Sequence, residues 1–261
     1  MQRTKISIAI ASLGVVGLAL SHQASAAVAT AASGNGDLLL VVTDTTTGAT
    51  FYQDLGKSVS QMLPSNNASF SVGVGGDSNY AALLAQQGVG DALNFAVIAG
   101  AYGASAPLGG ANDYLTTSGT QTYGPSTITN SNLQNWNLIN QNVYNPLTSA
   151  TESASGSFYF SPGSGGPLYS STSGLWTWNG KTSINTIAPV GTTASNLFFL
   201  TGSGLSGHAT PTLEGTATFN SGVFTFTSNN TSAVPLPAAV WLLGSGLAGL
   251  IGVGRRRSSA A

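Results

Sequence analysis

Two apolar stretches, residues 6–20 and 238–253, each beside a cluster of bases, bracket the rest of this 261-residue chain. They leave residues 27–233 to build a core. Residues 1–26 combine a basic start (Arg3, Lys5), the first apolar run and the small-residue site Ala24-Ser25-Ala26. This is the layout of a secretory signal peptide cut after Ala26, and its apolar run is too short for a comfortable membrane span. The expected partners at this end are the Sec translocon and signal peptidase. The alternative is a retained anchor helix.

The other end reads Val234-Pro235-Leu236-Pro237, then residues 238–253, then Arg255-Arg256-Arg257 and a short tail, residues 258–261. Pro235 and Pro237 lack backbone donors and fix an extended entry, so a helix can begin only at or after Pro237. Sixteen apolar or small residues at ~1.5 Å each span roughly 24 Å, enough for a thin bilayer. Three arginines then hold the C-terminus on the cytoplasmic side. Gly244, Gly246, Gly249 and Gly252 weaken this helix, which suits a transient span better than a permanent anchor.

On these residues the tail resembles the PEP-CTERM sorting signal of Gram-negative bacteria, in the variant where Val-Pro-Leu-Pro-Ala-Ala-Val-Trp-Leu precedes a Gly-rich helix and an Arg cluster. The resemblance covers residues 234–257, with motif, span and basic stop in the family's order. It implies that an exosortase, an integral-membrane transpeptidase, recognises the Pro motif and removes or exchanges the tail during transfer to the cell surface. Leu236 stands where the name-giving motif has Glu, so either the carboxylate is not needed in this variant or processing differs. An ordinary C-terminal anchor is the alternative. Both place the body outside the inner membrane.

Charged side chains are only 6% of the chain, against roughly 25% in ordinary soluble domains. Such a chain has no basic stripe for nucleic acid and too little charge for a disordered polyelectrolyte or a long coiled coil. There are no cysteines, which excludes disulfides, thiolate metal sites and Cys nucleophiles. The near-neutral total of −1 comes from the ends, because residues 27–233 keep all eight acids and only Lys57 and Lys181 as bases. Ser and Thr make up 55 of those 207 residues. The exported body is acidic, polar and poor in charge.

Short apolar runs separated by Gly, Ser, Asn and Pro favour strands over this body. Residues 37–43 and 49–55 read as a hairpin around the turn 44–48; residues 68–73 and 91–99 as further strands; Asp77 or Ser78 as the cap of a short helix running through Gln87. Asn130 or Ser131 can cap a second helix over 133–143. Residues 157–160, 175–178, 196–200, 213–219 and 223–227 complete the strands. The last two form a hairpin around Asn220-Ser221-Gly222, with Phe224 and Phe226 on one face and Thr225 and Thr227 on the other. The expected fold is mainly β, a sandwich-like single domain over 27–233 with one or two short helices, flanked by the signal peptide and the C-terminal transmembrane sorting helix.

Concentrated chemistry is scarce. His208 is the one histidine left after leader removal, it lies in a turn-like Gly207-His208-Ala209-Thr210-Pro211 setting, and no Gly-x-Ser-x-Gly elbow accompanies it. Glu152 and Glu214, the only glutamates, read as isolated in a polar loop or at a strand edge, without the facing carboxylates that glycoside cleavage needs. Asp44, Asp77, Asp91 and Asp113 read as Asx turns and caps. Gly-x-Gly-x-x-Gly strings at 202–207 and 244–249 follow from high Gly content, the first leading into a strand instead of a phosphate-binding helix. Asp77 and Asn79, after Gly75-Gly76, are candidate calcium ligands, with a Gly turn leading to a helix cap as the alternative. No other metal or cofactor is expected. Trp176 and Trp178, two apart in a strand, share a face and are candidate glycan contacts; the same pair also suits core packing with Leu175 and Phe160.

The sequence therefore points to a non-enzymatic, exported protein with no catalytic residues. It passes through an inner-membrane intermediate to the cell surface, outer envelope or extracellular matrix, with a structural or adhesive role and exopolysaccharide as a candidate partner. A carbohydrate-binding module centred on Trp176 and Trp178 and a secreted hydrolase are the alternatives.

Overall fold

The structure, a computed structural model, describes residues 28–30, 34–102, 112–118, 143–150, 153, 155–162, 188–202 and 207–230. The end segments 1–26 and 234–261, the expected helix 133–143 (but for Val143), Glu152 and the strand 175–178 with Trp176 and Trp178 lie outside the described residues. Among those described, no helix is long and apolar enough to cross a membrane.

The elements in chain order are β1 (Asp37–Asp44), β2 (Thr50–Ser58), a 3-10 turn (Val59–Met62), β3 (Phe70–Gly73), α1 (Ser78–Leu84), β4 (Leu93–Tyr102), β5 (Asn112–Thr117), α2 (Asn145–Ser149), β6 (Ser157–Phe160), β7 (Ala188–Pro189), β8 (Gly191–Gly202), β9 (Thr210–Asn220) and β10 (Val223–Ser228). The mainly β expectation holds. The strands do not divide into two sheets: hydrogen bonds join them into one antiparallel sheet in the order β3-β10-β9-β8-β5-β4-β1-β2-β6, with β7 added beside β4.

That sheet curls on itself. Phe95 on β4 and Phe219 on β9 are three strands apart, about 14 Å in a flat sheet, yet their ring centroids are 6.2 Å apart. Tyr80 of α1 closes the curl, its ring 5.4 Å from Phe51 on β2 and 5.7 Å from Phe219. A curl of this kind achieves with one sheet the enclosed core that a sandwich makes with two.

The central strands are buried on both faces. Alternate residues of β1 divide between an inner cluster (Leu38, Leu40, Val42) and an outer one (Leu39, Val41). β4 and β8 divide likewise, Val97 and Phe199 inward, Ile98 and Phe198 outward. Val143, Tyr144 and Leu147 of the α2 region cover the outer cluster, and the Tyr144 hydroxyl donates to the Asp37 carbonyl at 2.7 Å. Burial on two faces explains why β1 is a continuous apolar run instead of an alternating one.

Both expected hairpins form, each set by local chemistry. In the first, Asp44 Oδ1 accepts from the backbone N–H groups of Thr46 (2.8 Å) and Thr47 (3.2 Å), the Asx turn expected there. In the second, Asn220 pairs with Val223 across Ser221 (φ 50°) and Gly222 (φ 73°), a two-residue type I′ loop. Phe224 and Phe226 are buried while Thr227 is exposed, as the alternation predicts. The first helix ends at Leu84, short of the expected Gln87, because Gln86 and Gln87 bond back only three residues, to Leu83 (3.1 Å) and Leu84 (3.2 Å). Strand β5 has no counterpart in the sequence reading. It places Asp113, expected in a turn, buried in mid-strand opposite Ala101 and Thr201. Ladder pairing on both sides overrides the residue's local turn preference.

Candidate functional site

Two buried carboxylates organise the polar side chains at the ends of the curl. The first is Asp77. The chain leaves β3 through Val74-Gly75-Gly76 and caps α1 with Asp77, whose Oδ1 accepts from the N–H groups of Asn79 (2.8 Å) and Tyr80 (3.1 Å). The same carboxylate accepts from the Ser157 hydroxyl at 3.0 and 2.9 Å and from the Ser155 hydroxyl. Asn79 Nδ2 donates to the Ser157 carbonyl and hydroxyl, both at 3.0 Å, and the Ser153 hydroxyl lies 2.7 Å from that of Ser157. Since β3 and β6 are opposite ends of the strand order, Asp77 acts as a clasp between the two edges of the curled sheet.

This arrangement bears directly on the calcium reading. A calcium ion takes six to eight oxygen ligands turned toward it. Here the Asp77 lone pairs meet N–H and O–H donors, and Asn79 presents its amide nitrogen to Ser157, so an ion would have to displace Ser155 and Ser157. Among the described residues no group of three His, Asp or Glu side chains is placed to hold a metal.

The second carboxylate is Glu214, and its surroundings overturn the sequence reading of an isolated, edge-located residue. Leu197 pairs with Gly215 but Phe198 pairs with Leu213, so Glu214 is the extra residue of a β-bulge in β9. The bulge swings its side chain inward, where it is 2% exposed. Oε2 accepts from Asn67 Nδ2 and Oε1 is buried with no hydrogen-bond partner. Burial, opposed only by the Asn67 bond, pushes the Glu214 carboxyl up to about 7. Gly215 is required beside it: its φ is 159°, and a Cβ there would stand 2.0 Å from the Thr227 carbonyl oxygen.

Asn67 extends the Glu214 group. Its Oδ1 accepts from the Ser228 hydroxyl and from Asn230 Nδ2 at 3.1 Å, and Asn230 Nδ2 also donates to the Pro64 carbonyl at 2.7 Å. Ser228 N–H donates to Ser69 Oγ at 2.9 Å, and Asn229 N–H to the Glu214 carbonyl at 2.8 Å. Residues 63–69, the bulge in β9 and the end of β10 are thus one polar unit.

Among the described residues, neither His208 nor Asp91 is hydrogen-bonded to either carboxylate. His208 is exposed just before β9, and residues 203–206 of the Gly-x-Gly-x-x-Gly string at 202–207 lie outside the described residues. Asp91 Oδ2 accepts from the Gly88 N–H at 2.7 Å, the turn role expected of it. A carboxyl near 7 is in the range of a general acid, but Glu214 is enclosed by Asn67 and the β10 end rather than facing a cleft. The signal Glu214 leaves in the sequence is faint: a Glu-Gly pair inside a Thr-rich strand, where the Gly marks the bulge. No family model, curated protein or solved structure matches this chain.

Proposed function

We propose that this chain is an exported cell-surface or exopolysaccharide-matrix protein, processed by an exosortase, whose body has a structural or adhesive role. The observation that carries the reading is the order of the C-terminal elements: Val234-Pro235-Leu236-Pro237, a Gly-punctuated apolar stretch, then Arg255, Arg256 and Arg257. The small-residue site at Ala24 and Ala26 supports export. The body's character agrees with a passive role. Its outward positions on β9 and β10 include Thr216, Thr218, Thr225 and Thr227, uncharged groups that offer hydroxyl donors and acceptors to polar surfaces. Adhesion then works through many weak contacts, not one reactive centre.

Expression in an exosortase-competent Gram-negative host and in its exosortase-deletion strain tests this. In the competent host, the surface fraction should contain a chain that starts at Ala27 and lacks the segment beyond the Pro motif, by intact mass. In the deletion strain, the tail should stay attached and the chain should remain with the inner membrane. Recovery of residues 234–261 intact on the surface of the competent host would refute the processing.

A further inference from the structure

Glu214 is a buried acid that the proposed role does not use, and its setting, with Oε1 buried and without a partner, is unusual for a carboxylate. Hydrogen bonds tie it through Asn67 to Ser228 and Asn230, so its state is felt by residues 63–69, which pair with no strand, whereas the end of β10 remains in the ladder with β9 through Thr227–Thr216 and Ser228–Gly215. Residues 63–69 belong to no strand, and the ladder between β3 and β10 stops at the Phe70–Phe226 pair. Beyond that pair, the end of β10 is held to residues 63–69 by side chains: Ser228 to Asn67, Asn230 to Asn67 and Pro64, and Ser69 to the Ser228 N–H.

Among the described residues, no charge nearby offsets an ionised Glu214. The rest of β9, all of β8, β10 and β3, the 3-10 turn and residues 63–69 contain no Asp, Glu, Lys, Arg or His. Among the described residues, the charged group facing this end of the sheet is Lys57, its ammonium 5.6 Å above the Phe70 ring. That cation lies over Phe70, and the influence opposing burial of the Glu214 carboxyl is the Asn67 bond. A buried carboxylate with one donor and one orphaned oxygen is costly when charged and tolerable when neutral.

We propose that Glu214 operates a proton-controlled latch: neutral, it holds residues 63–69 against the β9 bulge and the end of β10, and ionised, it releases them while the β9–β10 ladder stays in place, because a buried charge with an orphaned Oε1 costs more than its stronger bond to Asn67 returns. The signs agree, because the folded carboxyl sits above its ordinary value of 4.5, at about 7, so protonation favours the closed form and ionisation opposes it. On the exported location proposed above, the controlling proton is that of the external medium. The latch itself does not depend on tail processing, and the two are read by different measurements.

Hydrogen exchange on the full chain, corrected for intrinsic rates, tests the latch at pH 5.5 and pH 8. In the wild type, protection at Asn67 and Ser228 should fall at least about tenfold between the two pH values, while Asn229, β1 and β4 stay constant. Glu214→Gln keeps the shape without the charge, and its protection at these amides should be independent of pH. Equal loss in Glu214→Gln, or no loss in the wild type, overturns the proposal. Independently of any variant, the Glu214 carboxyl carbon should titrate by NMR together with the change in protection. A midpoint in the ordinary glutamate range overturns the proposal as well.

Discussion

Asp77 and Glu214 are two buried acids at the two ends of the curl, solved in opposite ways. Asp77, 8% exposed, is surrounded by donors: two backbone N–H groups of its own helix and the hydroxyls of Ser155 and Ser157. Glu214, 2% exposed, has Asn67 alone and an orphaned Oε1. Donor number, more than depth, separates a carboxylate that fastens a fold from one whose charge strains it. The clasp at Asp77 draws on local helix geometry, whereas the Glu214 unit depends on a bulge and on side chains from distant segments.

The largest effect expected from breaking this comparison is at Gly215. Gly215→Ala places a Cβ 2.0 Å from the backbone oxygen of Thr227 and should cost roughly 3–5 kcal/mol in urea unfolding. Gly76→Ala, on the Asp77 side, meets nothing within 4 Å and should change stability by less than about 1 kcal/mol. Next, Asp77→Ala removes the cap and both serine contacts together, and should lower stability by about 2–4 kcal/mol, with Asp77→Asn losing less. Ser155→Ala and Ser157→Ala should then cost less in the Asp77→Ala background than in the wild type, the remainder reflecting their bonds to Asn79 and Ser153, a coupling that a double-mutant cycle reads.

The pH dependence sharpens the contrast further. Because the Glu214 carboxyl is raised from 4.5 to about 7, its neutral form favours folding below that range. The advantage declines as pH rises from about 4.5 to 7, then levels off. Glu214→Gln should therefore gain on the wild type by about 1–3 kcal/mol at pH 8 and show little difference at pH 4, in unfolding followed across pH. The smallest effect lies in the β9–β10 loop. Ser221 has φ 50°, so Ser221→Asn, better suited to that conformation, should stabilise the hairpin by about 0.5 kcal/mol in the same unfolding assay.

Much of this architecture was legible in local sequence. Asp44 and the glycine at 48, Ser221-Gly222 between period-2 runs, and Asp77 after two glycines each carry their conformation within four or five residues, so the two hairpins and the helix cap follow from short-range chemistry. The C-terminal Pro motif and Arg cluster are equally local. Helix length was less so, since the end at Leu84 reflects a tightening of the last turn that composition does not encode.

What only the tertiary structure decided are the features joining distant segments. The bulge at Glu214 is a one-residue shift in the β8–β9 ladder, at the point where the pairing of β9 with β10 ends at Gly215, and no single strand records its neighbours' registers. Asp113 is buried in β5 for the same reason. That one curled sheet encloses the core in place of two rests on the pairing of β5 with both β4 and β8, which joins the halves of the strand order, and Tyr80 meets Phe51 and Phe219 across the curl. The sequence by itself determined the turns, the strand character and the acidic, charge-poor composition, because these are set by neighbouring residues. Long-range pairing assigned the two carboxylates their opposite roles, because desolvation and donor number are properties of the assembled neighbourhood.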